Sequence, residues 1–280
     1  MFLDAVILVL QEIVEAALLI SVLLVLTRLL RQLWPTDFNL GNFWLITSAL
    51  LGLIGSWIYA RLIPTISLWF DYVGLEVVNA FIQTCIVVLL LMLCYSLTRE
   101  RLKKYPQLSK LTGIFITLVV SLGIIREVSE IIIYVAGITS QPENFAPVMM
   151  GSFIALGIGT SGGILLFYFL LSLPSLWALR SCMLLLALFT GNMASQACLL
   201  LTQADWLPYT PELWNSSSLL PEYTVPGQLL YTLIGYEATP SILQFGCYAV
   251  AAFLILISPL FKITWFSKKR SVNSLDNYEI

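Results

Sequence analysis

Long apolar stretches recur along this chain and leave it few ways to fold in water. Seven of them contain about 20 residues or more, which is enough for a helix to cross a membrane. They cover approximately 3–27, 41–63, 73–98, 111–138, 147–171, 180–203 and 240–261. Only 11% of the 280 residues are charged, whereas soluble domains carry about 25%. The pattern predicts an all-α integral membrane protein with seven transmembrane helices.

Basic residues are concentrated in alternate connecting segments. All fourteen lysines and arginines except Arg61 and Arg126 follow the first, third, fifth or seventh stretch. Because cytoplasmic loops carry the excess of lysine and arginine, we expect the N-terminus outside and the C-terminus in the cytoplasm. The membrane expected is the plasma membrane, or the inner membrane of a bacterium. The N-terminus has no basic segment and no small-residue cleavage site, so we expect a retained helix rather than a signal peptide.

Two acidic motifs interrupt the apolar stretches where a charge is costly. Gln11–Glu15 (QEIVE) lies in the first stretch, and Arg126–Glu130 (REVSE) lies in the fourth. A carboxylate at the centre of a membrane helix costs about 2.5–3.5 kcal/mol on insertion scales. Glutamates three residues apart share a helix face, and carboxylate oxygens suit hard metal cations. The candidate metal ligands are therefore Glu12, Glu15, Glu127 and Glu130, with Arg126 and Gln11 in supporting or charge-balancing roles.

The positions of the two motifs suggest internal symmetry. The first and fourth stretches are three crossings apart, so their helices run antiparallel, and each motif lies at a central depth. We interpret this as a 3+3 inverted repeat plus one C-terminal helix, with a site between the repeats near the midplane. The single permease domain then comprises repeat one at about 1–104, repeat two at about 105–203, an outer loop at about 204–239, a last helix at about 240–261 and a cytoplasmic tail at 262–280.

Further polar candidates lie in the outer loop and in the other stretches. Proline and glycine break the outer loop repeatedly, and we expect a structured cap or a short re-entrant element there. Glu237 in this loop and Glu76 at the start of the third stretch are candidate gate carboxylates at the opening of a pathway. Five residues could add oxygen ligands, although such residues more often join helices: Tyr72, Asn79, Gln83, Ser195 and Gln196.

The residue types present also disfavour several functions. The chain has no histidine, which excludes the His-Glu-x-x-His zinc motif of membrane metalloproteases. None of the five cysteines forms a Cys-x-x-Cys pair, and the stretches carry no aspartate at depth, so thiol electron transfer and aspartyl proteolysis are disfavoured. We expect a transporter rather than an enzyme, with no permanently bound cofactor and no nucleic-acid partner.

With these motifs the chain resembles the oxidase-coupled iron permeases of bacteria and fungi, the iron/lead transporter family. That family carries Arg-Glu-x-x-Glu in its first and fourth membrane helices. Arg126–Glu130 matches the motif in full, and Gln11–Leu18 matches it except that Gln11 replaces arginine. Leu75–Val78, around Glu76, resembles the acidic start of the family's third helix, and Leu213–Ser241 resembles its last loop.

The resemblance implies high-affinity import of iron, expected to be ferric, through the paired glutamates. Iron would then be the transported substrate, and a separate periplasmic or extracellular iron oxidase, peroxidase or iron-binding protein would deliver it. Membrane lipid is the other expected partner, with Lys268–Arg270 as a basic anchor that contacts anionic lipid. The residues themselves leave open a carrier for another metal cation or for protons, and a non-transporting scaffold subunit whose glutamates hold helices together.

Overall fold

The part of the chain that the structure describes is helical, without a β-strand. The structure is a computed structural model that describes residues 2–33, 43–97, 107–139, 142–222 and 224–260. These residues form eight helices: α1 (Phe2–Leu33), α2 (Phe43–Ile66), α3 (Gly74–Ser96), α4 (Gln107–Thr139), α5 (Pro142–Ser172), α6 (Ser175–Gln203), α7 (Val225–Ile234) and α8 (Ile242–Leu256).

Helices α1 to α6 are long and apolar enough to cross a membrane, and they correspond to the first six predicted stretches. Their outer faces expose large apolar side chains, among them Leu50, Trp57, Phe153 and Leu165. Contiguous exposed apolar surface of this kind is unusual in soluble proteins. The prediction of an all-helical, multi-pass membrane protein is confirmed.

The seventh predicted stretch corresponds to α8, which is 15 residues long. A helix needs about 20 residues to span the hydrocarbon core. Residues 261–280, with the expected cytoplasmic tail, lie outside the described residues, as do Arg99–Lys104 after the third stretch. The seventh span and the orientation of the termini stay predictions.

Helix α1 contacts α4, α5, α6 and α7. Leu19, Leu23, Leu26 and Leu30 are fully buried along its second half. The i, i+3, i+4 spacing of these leucines places them on one helix face, which packs into the main apolar core. The first acidic motif therefore lies on a helix that is largely buried against its neighbours.

Helices α1 and α5 run parallel and pack closely through glycines on α5. Going along both helices, the contacts pair Gly151 with Ala5, Gly159 with Ile13 and Gly163 with Ala17. The Ser21 hydroxyl adds a hydrogen bond of 2.8 Å to the carbonyl of Gly163. Small residues allow this close approach of helix backbones, which is a main source of association energy between helices in a membrane.

Helices α2 and α4 form a second parallel pair. The hydroxyl of Ser121 donates to the carbonyl of Ser48 at 3.3 Å, and the hydroxyl of Ser56 donates to the carbonyl of Ile124 at 3.0 Å. Gly52 lies against the Ile124 side chain at the same interface. By contrast, α1 and α4 run antiparallel. Gly123, which precedes the second motif in α4, faces Leu19, which follows the first motif in α1.

The predicted outer loop is an ordered cap that contains helix α7, as expected for a structured element. Thr224 caps the N-terminus of α7, and Gly235 ends it in a left-handed conformation with φ 71°. A side chain at Gly235 would clash with Asn192 of α6. Further along, Ser241 and Gln244 form a reciprocal capping box that begins α8.

The α1–α5 interface predicts opposite effects for two adjacent glycines. A Cβ at Gly163 would lie 2.7 Å from the Ala17 Cβ, whereas a Cβ at Gly162 would meet no atom within 4 Å. We expect Gly163→Ala to destabilise the protein by about 1–3 kcal/mol, because neither backbone can yield easily. Thermal unfolding in detergent measures this effect, and Gly162→Ala is the matched control, expected to leave Tm unchanged or slightly raised. Equal Tm values for the two variants would contradict the close α1–α5 packing.

Candidate functional site

Arg126 of α4 lies at the centre of a glutamate cluster between α1 and α4. Its Nη1 donates to Glu15 Oε2 at 3.0 Å and to Glu127 Oε1 at 2.7 Å. Its Nε lies 3.6 Å from Glu130 Oε1. Arg126 is 7% exposed, Glu15 is 5% exposed and Glu127 is 2% exposed. Because removing one partner of a buried ion pair leaves an uncompensated charge, these side chains depend on each other.

The carboxyl groups of Glu12 and Glu127 form a second contact between the motifs. They lie within hydrogen-bonding reach of each other, and two carboxyl groups can share a hydrogen bond only when one carries a proton. The side chain of Glu130 is the most open of the four, with 38% of its surface exposed. The structure thus brings all four predicted glutamates together around Arg126.

The cluster has more negative groups than positive ones. Four carboxyl groups face one guanidinium, so the cluster is anionic even with one shared proton. Among the described residues, no three histidine, cysteine, aspartate or glutamate side chains are grouped so as to hold a metal ion. The Arg126 guanidinium bridges Glu15 and Glu127 in this conformation. A metal ion bound by these glutamates would have to join or displace the guanidinium.

A chain of buried amides supports Arg126 from the side opposite α1. Gln196 of α6 accepts a hydrogen bond from Arg126 Nη2 at 2.7 Å, through its Oε1. The same oxygen accepts from Gln83 Nε2 of α3 at 3.0 Å. Gln196 Nε2 then donates to Asn192 Oδ1 at 3.1 Å. The network fixes the plane of the guanidinium through residues of three helices.

Helix α7 reaches from the cap down to the first motif. Gln11 Nε2 donates to the carbonyl of Gln228 in α7 at 3.4 Å. Gln11 lies nine residues beyond Phe2, or about 14 Å along α1. The cap therefore packs against α1 at the level of the first motif, and the side chain of Gln11 bonds to α7 rather than to a glutamate. Tyr231 of α7 lies close enough to Glu15 and Glu237 for both carboxyl groups to act electrostatically on its hydroxyl.

A narrow polar cavity connects the amide chain with Glu237. Its lining includes Asn192, Gln196, Tyr231, Glu237 and Gln244, and it has no room for a water molecule. Both carboxylate oxygens of Glu237 accept from Gln244 Nε2, at 2.9 and 3.1 Å. Burial raises the pKa of Glu237, and the negative charge of Glu222 adds to that effect, while the hydrogen bond from Gln244 opposes it. The cavity is a closed polar constriction between the cap and Arg126.

The other sequence candidates lie in different places. Glu76 is partly buried in the first turn of α3, and its Oε2 has no hydrogen-bond partner among the described residues. Tyr72 is 77% exposed in the turn between α2 and α3. Asn79 accepts a hydrogen bond of 2.7 Å from the hydroxyl of Tyr59. In the described part of the chain, none of these three residues is hydrogen-bonded to Arg126.

Sequence reasoning did not single out Asn192, Tyr59, Gln228 or Tyr231. The sequence did contain one indication of the role of Asn192. Asn192 and Gln196 are four residues apart in an apolar stretch, so they share a helix face and can be hydrogen-bonded. Nothing local in the sequence indicates that α7 turns back toward Gln11, because that contact joins residues 217 positions apart.

No protein-family model, curated protein or solved structure matches this chain. The family resemblance therefore stays a prediction, and the function is inferred from the geometry of the site and its chemistry.

The amide network predicts that Gln196 and Gln83 are energetically coupled. Gln196→Leu leaves the buried donors of Arg126 and Gln83 without their acceptor, and we expect it to cost about 1–3 kcal/mol. Adding Gln83→Leu removes one of these orphaned donors, so the double variant should cost less than the sum of the single variants. Thermal unfolding in detergent measures the cycle.

The control for this cycle is Gln203→Leu, the same substitution at an exposed position of α6. It should leave Tm close to that of the wild type. Strict additivity of Gln196→Leu and Gln83→Leu would show that the two amides do not act as a network.

The raised pKa of Glu237 predicts a pH-dependent effect of Glu237→Gln. A carboxyl whose pKa is higher in the folded state contributes stability below its unfolded pKa of about 4.3 and loses it as pH rises through the folded pKa. Glutamine keeps the shape of the side chain but cannot ionise, so the variant does not lose this stability as pH rises. The difference in Tm, variant minus wild type, should therefore become more positive from pH 4 to pH 8. Glu143→Gln, at an exposed position, should show no such trend. A flat difference for Glu237→Gln would mean that its burial carries no electrostatic cost.

Proposed function

We propose that this protein is a permease that imports a metal cation, with iron as the substrate, through the glutamate cluster around Arg126. The observation that carries the proposal is the meeting of two Glu-x-x-Glu pairs from antiparallel helices at one buried point. Buried intramembrane carboxylates are costly and mark ion pathways by default. Their number and oxygen chemistry suit a hard, highly charged cation such as ferric iron.

Arg126 acts in this proposal as a resident cation. Its guanidinium bridges Glu15 and Glu127 when no metal is bound, so the carboxylates are never left without a positive charge. An arriving cation competes for the same oxygens, and the amide of Gln196 keeps Arg126 close by when it gives them up. Arg126 is a positioning and charge-balancing residue, since a guanidinium cannot ligate a metal.

Helix α7 and Glu237 form the gate on the side of the cap. The polar constriction between Glu237 and Gln196 is closed in this conformation, and a movement of α7 away from Gln11 would open it. Glu237 then offers the first carboxylate to a cation on its way to the cluster. Glu76 does not line this constriction. It lies at the start of α3, on the same side of the bundle as the cap, where Phe70 packs on Trp206, and it is a second candidate entry carboxylate on that side.

Alternating access by two inverted repeats is the transport mechanism that the packing favours. In two inverted three-helix repeats, α1 corresponds to α4 and α2 corresponds to α5. The parallel pair α1–α5 then corresponds to the parallel pair α4–α2, and both pairs are closely packed. Rocking of one repeat against the other would expose the cluster to each side in turn. Under the proposal α8 is the additional helix, the N-terminus faces outward, and an oxidase or iron-binding protein delivers iron at the cap.

A scaffold subunit is the second candidate function, and one observation favours it. The bonds of Arg126 to Glu15 and Glu127 already pair these charges without any added ion. In a scaffold the cluster would join α1 to α4, and neutralising a glutamate would weaken assembly rather than flux.

Uptake of radioactive iron by liposomes containing the purified protein tests the proposal, with ferrous and ferric iron offered separately. We expect Glu12→Gln to lower uptake by about tenfold, the factor that loss of about 1.4 kcal/mol of ligand binding produces. The glutamine can still hydrogen-bond to Glu127, so the helices should assemble normally. Glu127→Gln should lower uptake at least as much, and manganese, zinc and lead as competitors define the selectivity.

Glu143→Gln is the control for charge, because Glu143 is exposed at the start of α5. It should transport iron at the wild-type rate. Wild-type uptake by Glu12→Gln and Glu127→Gln would reject the carboxylate pathway. Loss of assembly together with uptake in both variants would favour the scaffold.

A further inference from the structure

A second charged cavity lies near the C-terminal end of α1, away from the glutamate cluster. It has a volume of about 400 Å³, within the range of roughly 300–1,000 Å³ that is typical of ligand sites. Its lining consists of Leu24, Thr27, Arg28, Arg31 and Gln32 of α1 and Phe167 of α5. The proposed transport function uses none of these residues.

The cavity has an apolar side and a positively charged side. Leu24 and Phe167 supply the apolar side, and Arg28 and Arg31 lie on the charged side. Arg28 is exposed, so its guanidinium is accessible from outside the bundle. This combination suits a ligand with an anionic head and an apolar tail.

The depth of Arg28 matches the level of lipid headgroups. The twelve residues from Ala16 to Thr27 carry no charge, and they extend about 18 Å along the helix. Half of the hydrocarbon core is about 15 Å thick. With the glutamate cluster near the midplane, Arg28 emerges where the phosphates of one leaflet lie, while Leu24 is still among the acyl chains.

We infer that this cavity binds an anionic phospholipid, with its phosphate at Arg28 and Arg31 and an acyl chain along Leu24 and Phe167. Guanidinium groups bind phosphate oxygens through paired, charge-assisted hydrogen bonds. Basic cavities between membrane helices attract anionic headgroups. A zwitterionic lipid carries its own ammonium group near the two arginines, which disfavours it. The inference does not depend on the transported substrate.

Native mass spectrometry of the delipidated protein in an uncharged detergent tests the inference. The probes are dioleoyl phosphatidylglycerol and dioleoyl phosphatidylcholine, titrated separately into wild type, Arg28→Gln, Arg28→Lys and Arg180→Gln. Arg180 lies on α6 and does not line the cavity, so its variant controls for general loss of positive charge. Tm of each variant in the same detergent verifies that it is folded.

We expect one phosphatidylglycerol to bind the wild type more tightly than phosphatidylcholine does. Arg28→Gln should weaken phosphatidylglycerol binding about fivefold, the effect of one arginine near an anionic surface. Arg28→Lys should keep most of the binding, and Arg180→Gln should bind as the wild type does.

Three results would overturn the inference. The first is equal binding of the two lipids, and the second is equal phosphatidylglycerol binding by Arg28→Gln and the wild type. The third is displacement of phosphatidylglycerol by inorganic phosphate but not by chloride at the same ionic strength, which would identify free phosphate as the ligand.

Discussion

The burial of Arg126 among glutamates is the constraint on which the rest of the structure depends. A guanidinium at this depth requires anionic partners, and Glu15 and Glu127 supply them at 3.0 and 2.7 Å from two antiparallel helices. Its remaining donors require acceptors, and Gln196 supplies one from α6. One side chain therefore joins α1, α4 and α6, and it holds the motif of α1 in place although that motif is costly in a membrane.

The close packing of the helices follows from the same requirement. Polar groups can be satisfied in a membrane only when backbones and side chains approach without gaps. The glycines of α5 allow α1 to be covered along one face, and hydroxyl groups such as that of Ser56 bridge α2 and α4. Helix α7 covers α1 at Gln11. The cluster is thus enclosed by helices whose outer faces are apolar.

Apolar length predicted seven spans, six of which correspond to helices long enough to cross a membrane, and charge position predicted the meeting of the two motifs, because both depend on local composition and helix periodicity. The amide network could not be predicted, since Gln83 and Gln196 are 113 residues apart and meet only through tertiary packing. The same holds for the contact of α7 with Gln11, which joins residues 217 positions apart. The symmetry of the motifs indicated antiparallel helices, yet it did not indicate that Arg126 would bridge Glu15 and Glu127.

The positive charges already present in the cluster bear on its selectivity under the proposed function. Four carboxyl groups face Arg126, whose guanidinium bridges Glu15 and Glu127, so a transported cation must compete with the guanidinium. A monovalent ion offers no more charge than the guanidinium it would replace, and it must also give up its water shell. An ion of higher charge gains more from the same oxygens, because the attraction grows with the product of the charges while the geometry stays fixed.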